Sequence, residues 1–180
     1  PWRGATAGML RHLRDRRLLG GFALGFCLFF AFIAVFTYLP YRLAAPPFGL
    51  STDAIASAYL VYVVGIAVSP IAGRLASRHA PELLILAGLG ISAAGVAVTM
   101  AGSLAAVVAG LLVLVAGMFT AQAIGPAWVN ETAREAKGGA NALYLAAYYL
   151  GGTLGSWLPG LAWERSGWPG VAAVSLAALA

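Results

Sequence analysis

The chain has 180 residues, of which 61% are hydrophobic and 9% are charged. Soluble domains carry about 25% charged residues, so this composition excludes a water-soluble fold and predicts an integral membrane protein. The net charge of +5 does not indicate a nucleic-acid partner, because the basic residues fall in short loops rather than on one water-facing surface.

Six apolar segments follow a basic lead-in over residues 1–17. They are residues 18–40, 54–73, 83–101, 104–127, 141–161 and 169 onward. None contains Asp, Glu, Lys, Arg or His, each of which would cost about 2.5–3.5 kcal/mol at a helix centre. We therefore predict an all-α integral membrane protein with a six-transmembrane-helix bundle over residues 18–180. The chain begins without Met and ends inside an apolar run, so we expect a fragment whose last helix is truncated.

The Lys and Arg residues between the segments predict the orientation, because cytoplasmic loops are enriched in them. With the N-terminus in the cytoplasm, only Arg42 and Arg165 fall outside. Nine basic residues then fall inside: Arg3, Arg11, Arg14, Arg16, Arg17, Arg74, Arg78, Arg134 and Lys137. We therefore predict a cytoplasmic N-terminus.

Small residues share one face of the second segment and one face of the fourth, a pattern typical of helices that pack closely. The face of the second consists of Ala58, Tyr62, Gly65, Ser69 and Gly73. The face of the fourth consists of Gly110, Gly117, Ala121 and Gly125. We predict that Gly65, Gly73, Gly117 and Gly125 are helix-packing residues. Gln122 is either an interhelical hydrogen-bonding group or a cavity group, since an amide in hydrocarbon needs a partner.

The fifth segment carries a stripe of polar side chains and glycines. Six residues fall within about 100° of the helix circumference: Asn141, Tyr144, Tyr148, Gly151, Gly152 and Gly155. Lipid gains nothing from such a stripe, so this face is predicted to meet protein, water or a ligand. Gly151 and Gly155 are predicted helix-packing residues, and packing alone would explain them.

No constellation in the sequence would support catalysis within the membrane. His12 and His79 lie outside the apolar segments, and the segments contain no Asp, so an intramembrane protease lacks its base, carboxylates or metal ligands. No phosphate-binding Gly-rich loop followed by Lys occurs, which excludes an ATP-driven motor in this chain. We expect no enzyme activity, no metal site and no cofactor.

The loop after the second segment resembles a signature of the major facilitator superfamily. Residues 69–83 read SPIAGRLASRHAPEL, and the family carries G-x-L-A-D-R-x-G-R between the second and third helices of its C-terminal half. The matching residues are Gly73, Leu75, Ala76 and Arg78. The resemblance assigns Gly73, Arg74 and Arg78 to a cytoplasmic signature loop.

This loop departs from the family pattern at three positions. Ser77 replaces the acidic residue, Ala80 the second glycine and Pro81 the final basic residue, so the charge-relay role of the loop is in doubt. A second resemblance starts at Gly138, where GGANALYLAAYYLGG is similar to the eleventh helix of multidrug and sugar-efflux-like members.

The resemblance implies the C-terminal half of a secondary transporter, with the lipid bilayer and an N-terminal half as partners. Such a protein exports a small organic solute by alternating access across a bacterial inner membrane. The first, second, fourth and fifth segments would border the central cavity or the other half, and the third and sixth would be peripheral. The alternative is a non-transporting membrane scaffold or assembly subunit that docks other helices through the same small-residue faces.

Four polar side chains within the segments are candidates for substrate contact: Tyr62, Gln122, Tyr144 and Tyr148. Their rings or amides would supply contact area and orientation, although packing against other helices would explain them equally well. A proton is a candidate coupling ion, but coupling requires a group that titrates within the membrane. Asp53 and Glu131 lie at segment ends, so a proton site is expected in the N-terminal half.

Overall fold

The computed structural model describes residues 11–180, and every regular element in this part is helical. The α-helices are α1 (Arg16–Ala44), α2 (Thr52–Ser57), α3 (Val63–Ala76), α4 (Pro81–Val98), α5 (Leu104–Thr132), α6 (Lys137–Ser166) and α7 (Trp168–Leu179). A 3₁₀ turn, Ala58–Tyr62, connects α2 to α3. The prediction of an all-α membrane bundle is confirmed. Residues 1–10 of the predicted lead-in, including Arg3, lie outside the described residues.

By length and apolar composition, four helical stretches of residues 11–180 qualify as membrane spans: Arg16–Ala44, Thr52–Ala76, Pro81–Val98 and Leu104–Thr132. Helix α6 does not qualify although it has 30 residues, because its polar and glycine residues lower its mean hydropathy. Of these residues, Tyr144, Tyr148, Gly151, Gly152 and Gly155 are buried against other helices, whereas Tyr149, Thr153 and Ser156 are exposed. Helix α7 is apolar but has 12 residues.

Helix α1 extends beyond the first apolar segment at both ends. It begins where the Asp15 carboxylate accepts a hydrogen bond from the Arg17 backbone N–H at 2.9 Å, which satisfies one of the free donors of a helix start. It then continues four residues past Pro40, the end of the predicted segment, to Ala44. A proline removes a single helical hydrogen bond, so the helix survives it near the membrane edge.

The second segment is not the one continuous helix that its composition suggests. The chain runs through α2, the 3₁₀ turn and α3, so the hydrogen-bond pattern changes in the middle of the span. The Tyr59 hydroxyl, on this turn, donates to the Phe36 carbonyl of α1 at 3.0 Å. A tertiary contact thus fixes the turn, and 3₁₀ geometry within a longer helix is a recognised hinge element.

Two pairs of helices pack with their backbones in close approach. In the α4–α5 pair, a Cβ on Gly117 would meet Gly88 and Ser92, and a Cβ on Gly110 would meet Gly95 and Thr99. In the α1–α6 pair, a Cβ on Gly151 or Gly155 would meet backbone atoms of Phe26 or Phe30. Glycine at these positions therefore permits helix distances that any other residue would prevent.

The bundle end that contains Arg42 and Trp168 is predicted to lie on the non-cytoplasmic side of the membrane. There the Arg42 guanidinium donates to the Ala101 carbonyl at 2.8 Å and lies 4.6 Å from the Trp168 ring centroid. The buried Trp168 indole donates in turn to the Thr99 hydroxyl at 3.2 Å. These contacts connect the end of α1, the α4–α5 turn and the start of α7.

We expect single-cysteine labelling to confirm this orientation. In a Cys27→Ala background, Gly102→Cys should react with an impermeant thiol reagent from outside, and Ser77→Cys only from inside. Both positions are exposed, and a side chain at Gly102 meets no other group, so reactivity reports the side of the membrane. Ready labelling of Ser77→Cys from outside would contradict the predicted orientation, which rests on nine basic residues inside and two outside.

Candidate functional site

Four elements bring aromatic and amide side chains to one side of the bundle. These residues, which we call the aromatic wall, are Phe29 and Phe32 on α1, Tyr62 on the 3₁₀ turn, Gln122 on α5, and Tyr144 and Tyr148 on α6. All four predicted substrate-contact residues belong to it. The wall thus joins segments that are far apart in the sequence.

The rings of the wall are in contact across helix boundaries. Phe29 stacks on Tyr148 with 4.0 Å between ring centroids and 9° between ring planes. Tyr62 lies 5.5 Å from Phe32 and 4.7 Å from Phe36, again between centroids. Aromatic pairs at these separations contribute about 0.5–1.5 kcal/mol beyond burial, so the rings hold α1 against both neighbours.

Tyr144 and Gln122 form the polar connection of the wall. The Tyr144 hydroxyl donates to the Gln122 amide oxygen at 3.0 Å, from α6 to α5. Tyr144 is 2% exposed, and its ring fits between two glycines: a Cβ on Gly25 would lie 2.7 Å from the ring and one on Gly125 2.8 Å from the hydroxyl. In this conformation Tyr144 packs helices together rather than presenting a free surface.

The other wall residues differ in accessibility. Tyr148 is 8% exposed, whereas Tyr62 and Gln122 are half-buried. Among the described residues, neither the Tyr62 nor the Tyr148 hydroxyl has a hydrogen-bond partner. Neither hydroxyl oxygen is fully buried. Both hydroxyls are therefore available to a bound molecule.

The wall contains no ionisable side chain apart from its tyrosines, which are neutral near pH 7. Within residues 11–180, no three His, Cys, Asp or Glu side chains lie together as metal ligands would. The side chains present can offer ring faces, hydroxyls and one amide. They suit an apolar or aromatic molecule with a few hydrogen-bonding groups.

Sequence reasoning missed the phenylalanines of α1 and the neighbouring Tyr149. The sequence does not distinguish Phe29 and Phe32 from the rest of the first apolar segment, because phenylalanine at helical spacing fits lipid contact equally well. Tyr149 is 61% exposed and lies edge-on to Phe29 and Tyr148. The Phe-rich composition of α1 was the available signal.

The predicted packing glycines fall into two groups. Gly65 lies under the Phe119 ring, and Gly117, Gly125, Gly151 and Gly155 each lie against a neighbouring helix. Gly73 does not: it is exposed, and a Cβ there would meet nothing within 4 Å among the described residues. The assignment of Gly73 as a helix-packing residue stays a prediction, since any helix that packs on it is not among the described residues.

The predicted signature loop begins where α3 ends. The Ser77 hydroxyl donates to the Arg74 carbonyl at 2.7 Å, so the residue in the acidic position of the pattern closes the helix end instead. Arg74 and Arg78 are exposed beside a groove of about 350 Å³. In the part of the chain that the structure describes, neither has an acidic partner within 4.0 Å.

The chain is similar to transport proteins over most of its length. It is 45% identical over 162 residues to the inner membrane transport protein YnfM of Escherichia coli. The aligned residues make up 90% of this chain and 39% of YnfM. It is 31% identical over 163 residues to an uncharacterized MFS-type transporter, YybF, of Bacillus subtilis, covering 91% and 40%. An uncharacterized transporter of Buchnera aphidicola is 36% identical over 159 residues, covering 88% and 39%.

The chain thus spans about two-fifths of the length of these relatives. No solved structure matches it. A family model described as Major Facilitator Superfamily matches residues 21–180, which include every helix of the bundle except the first turn of α1. The chain belongs to the major facilitator superfamily.

Proposed function

We propose that this chain is the C-terminal half of a secondary transporter that exports a small organic solute across a bacterial inner membrane. The observation that supports it best is the aromatic wall, where α1, the 3₁₀ turn, α5 and α6 contribute to one surface. A lipid-facing surface would not require an amide and hydroxyls at membrane depth.

The exposed second span supports an additional half as partner. Thr52–Ala76 is apolar enough to cross the membrane, yet only 11% of the residues in its most apolar stretch are buried within this chain. Its small and polar residues, including Ser69 and Gly73, would let another helix approach. We propose that the N-terminal half packs there and that the two halves rock about the 3₁₀ turn.

The chemistry of the wall suggests the class of solute. Ring faces favour a planar or apolar molecule, and the Tyr62 and Tyr148 hydroxyls would orient it through hydrogen bonds. Because the wall carries no charge, we place any proton-coupling carboxylate or histidine in the N-terminal half. Asp53 and Glu131 are exposed at helix ends, where water surrounds them.

Removing single hydroxyls tests substrate contact with little disturbance of packing. In the full-length protein, Tyr62→Phe and Tyr148→Phe should each change the relative export rates of different planar aromatic dyes. The ratio of the rates of two dyes should change about fivefold, as expected when one of them loses a hydrogen bond. Tyr41→Phe is the matched control, since Tyr41 is 61% exposed at the predicted outer end. Dye export from cells, normalised to folded protein, is the measurement.

Other outcomes of this experiment would contradict the proposal. Dye export that equals that of a strain lacking the protein would favour the scaffold alternative. Equal effects of all three tyrosine changes would mean that the wall does not contact the solute. An Asp53→Asn/Glu131→Gln variant should retain proton-driven export in vesicles, and loss of coupling with intact folding would place the proton site in this half.

A further inference from the structure

Pro40 lies inside α1 and leaves a backbone acceptor of that helix without its usual donor. In a continuous α-helix the carbonyl of residue 36 accepts a hydrogen bond from the N–H of residue 40, and proline has no N–H. Phe36 is 5% exposed, so its carbonyl is largely shielded from water as well. A buried acceptor of this kind requires a donor from elsewhere in the fold.

The Tyr59 hydroxyl supplies that donor from the next element of the chain. It donates to the Phe36 carbonyl at 3.0 Å, from the 3₁₀ turn to α1. The rings of the two residues also lie 5.7 Å apart between centroids. One hydrogen bond therefore satisfies the free acceptor of α1 and tethers the turn to that helix.

The geometry of the turn places Tyr62 in line with Tyr59. Residues three apart eclipse each other in a 3₁₀-helix, whereas in an α-helix they would be about 60° apart around the axis. Both rings contact Phe36: the Tyr62 ring lies 4.7 Å from the Phe36 ring and 5.9 Å from the Tyr59 ring, between centroids. No residue of Ala58–Tyr62 forbids an α-helix, so the contacts with α1 keep the two tyrosines in line.

On the basis of the proposed function, in which the Tyr62 hydroxyl orients the solute, we propose that Tyr59 is a positioning residue. It sets the substrate range of the aromatic wall through Tyr62. Without the bond to the Phe36 carbonyl, the turn would relax toward α-helical geometry and the Tyr62 side chain would rotate relative to the wall. Tyr59 needs no contact with the solute, because α1 already engages its hydroxyl.

The ratio of the export rates of two planar aromatic dyes tests this role in the full-length protein. Tyr59→Phe should change the ratio about fivefold, as Tyr62→Phe does. In a Tyr62→Phe background, Tyr59→Phe should change it by less than about twofold, because both effects depend on one contact with the dye. Independent effects, which would multiply in the double variant, would overturn the proposal.

Pro40→Ala separates the positioning role from stability. Alanine restores the N–H of residue 40, so the Phe36 carbonyl regains a donor within α1. In this background Tyr59→Phe should lower the midpoint of unfolding less than it does alone, yet it should change the dye ratio as much, because the turn still loses its tether. Loss of both effects together would show that Tyr59 acts only through the stability of α1, which would overturn the proposal.

Tyr38→Phe is the matched control. The Tyr38 hydroxyl also donates to a backbone carbonyl of another helix, that of Ser156 at 3.1 Å. Because α6 continues through Gly160, the Ser156 carbonyl keeps a helical donor four residues on. Tyr38→Phe should therefore leave the dye ratio unchanged. A change as large as that of Tyr59→Phe would overturn the proposal.

Amide hydrogen exchange over residues 58–63 gives a measurement that does not depend on transport. Tyr59→Phe should raise the exchange rate of this segment about tenfold, with or without Pro40→Ala, since its tether is lost in both backgrounds. Tyr38→Phe should not raise it. Unchanged exchange in Tyr59→Phe would overturn the positioning role even with dye export intact, so failure of this role is distinguished from failure of the proposed export.

Discussion

Replacing Gly151 and Gly155 together by alanine should abolish recovery of folded protein. In each case the new Cβ would point at a backbone carbonyl of α1, that of Phe26 or Phe30. A backbone atom inside a helix cannot swing aside as a side-chain tip does, so the helices must separate. Overpacking costs about 1–3 kcal/mol at one site, and two such sites on one interface approach the whole stability of a typical domain.

Gly90→Ala is the matched control for this pair. Gly90 lies within α4, and a Cβ there would meet nothing within 4 Å. Alanine should be neutral or slightly stabilising at that position, because it forms helix more readily than glycine. The midpoint of unfolding in mixed micelles and the monodisperse fraction after extraction are the measurements. If the double variant unfolds at the same midpoint as Gly90→Ala, the backbones of α1 and α6 do not approach closely enough for a Cβ to clash.

The positions of the helical segments could be predicted because lipid imposes a simple requirement. An uncharged run of about 20 residues must satisfy its backbone internally, which leaves few alternatives to a helix. The 3₁₀ turn at Ala58–Tyr62 could not be predicted, since nothing in its sequence forbids an α-helix. Its geometry is accompanied by contacts with Phe32 and Phe36, which are more than 20 residues away.

The site was predictable only as a set of residue types. Glycine, tyrosine and glutamine on one helix face indicate that lipid is absent from it, but not whether a helix or a solute replaces the lipid. The structure places Gly151 and Gly155 against α1, and Tyr144 between Gly25 and Gly125. Packing accounts for these residues. The Tyr62 and Tyr148 hydroxyls keep the ligand hypothesis open to experiment, because no group of the described chain uses them.

Arg42→Ala should destabilise the bundle by about 3 kcal/mol, the second large effect that we expect. The Arg42 guanidinium donates to the Ala101 carbonyl at 2.8 Å and lies over the Trp168 ring at 4.6 Å. A hydrogen bond from a charged group contributes about 1.5–3 kcal/mol, and a partly desolvated cation–π contact about 0.5–2 kcal/mol. Its loss would also loosen the contact from Trp168 to the buried Thr99 hydroxyl.

Two further variants isolate the geometry of the Arg42 contact from its charge. Arg42→Lys keeps the charge but not the planar group that stacks on Trp168, so it should recover less than half of the loss. Arg165→Ala removes the same charge from an exposed position on the same predicted side and should change stability by less than about 0.5 kcal/mol. Misinsertion cannot imitate the expected result, because removing an outside arginine strengthens the positive-inside bias. The measurement is the free energy of unfolding in mixed micelles. Equal losses of this free energy for Arg42→Ala and Arg165→Ala would show that Arg42 does not hold α1, α7 and the α4–α5 turn together.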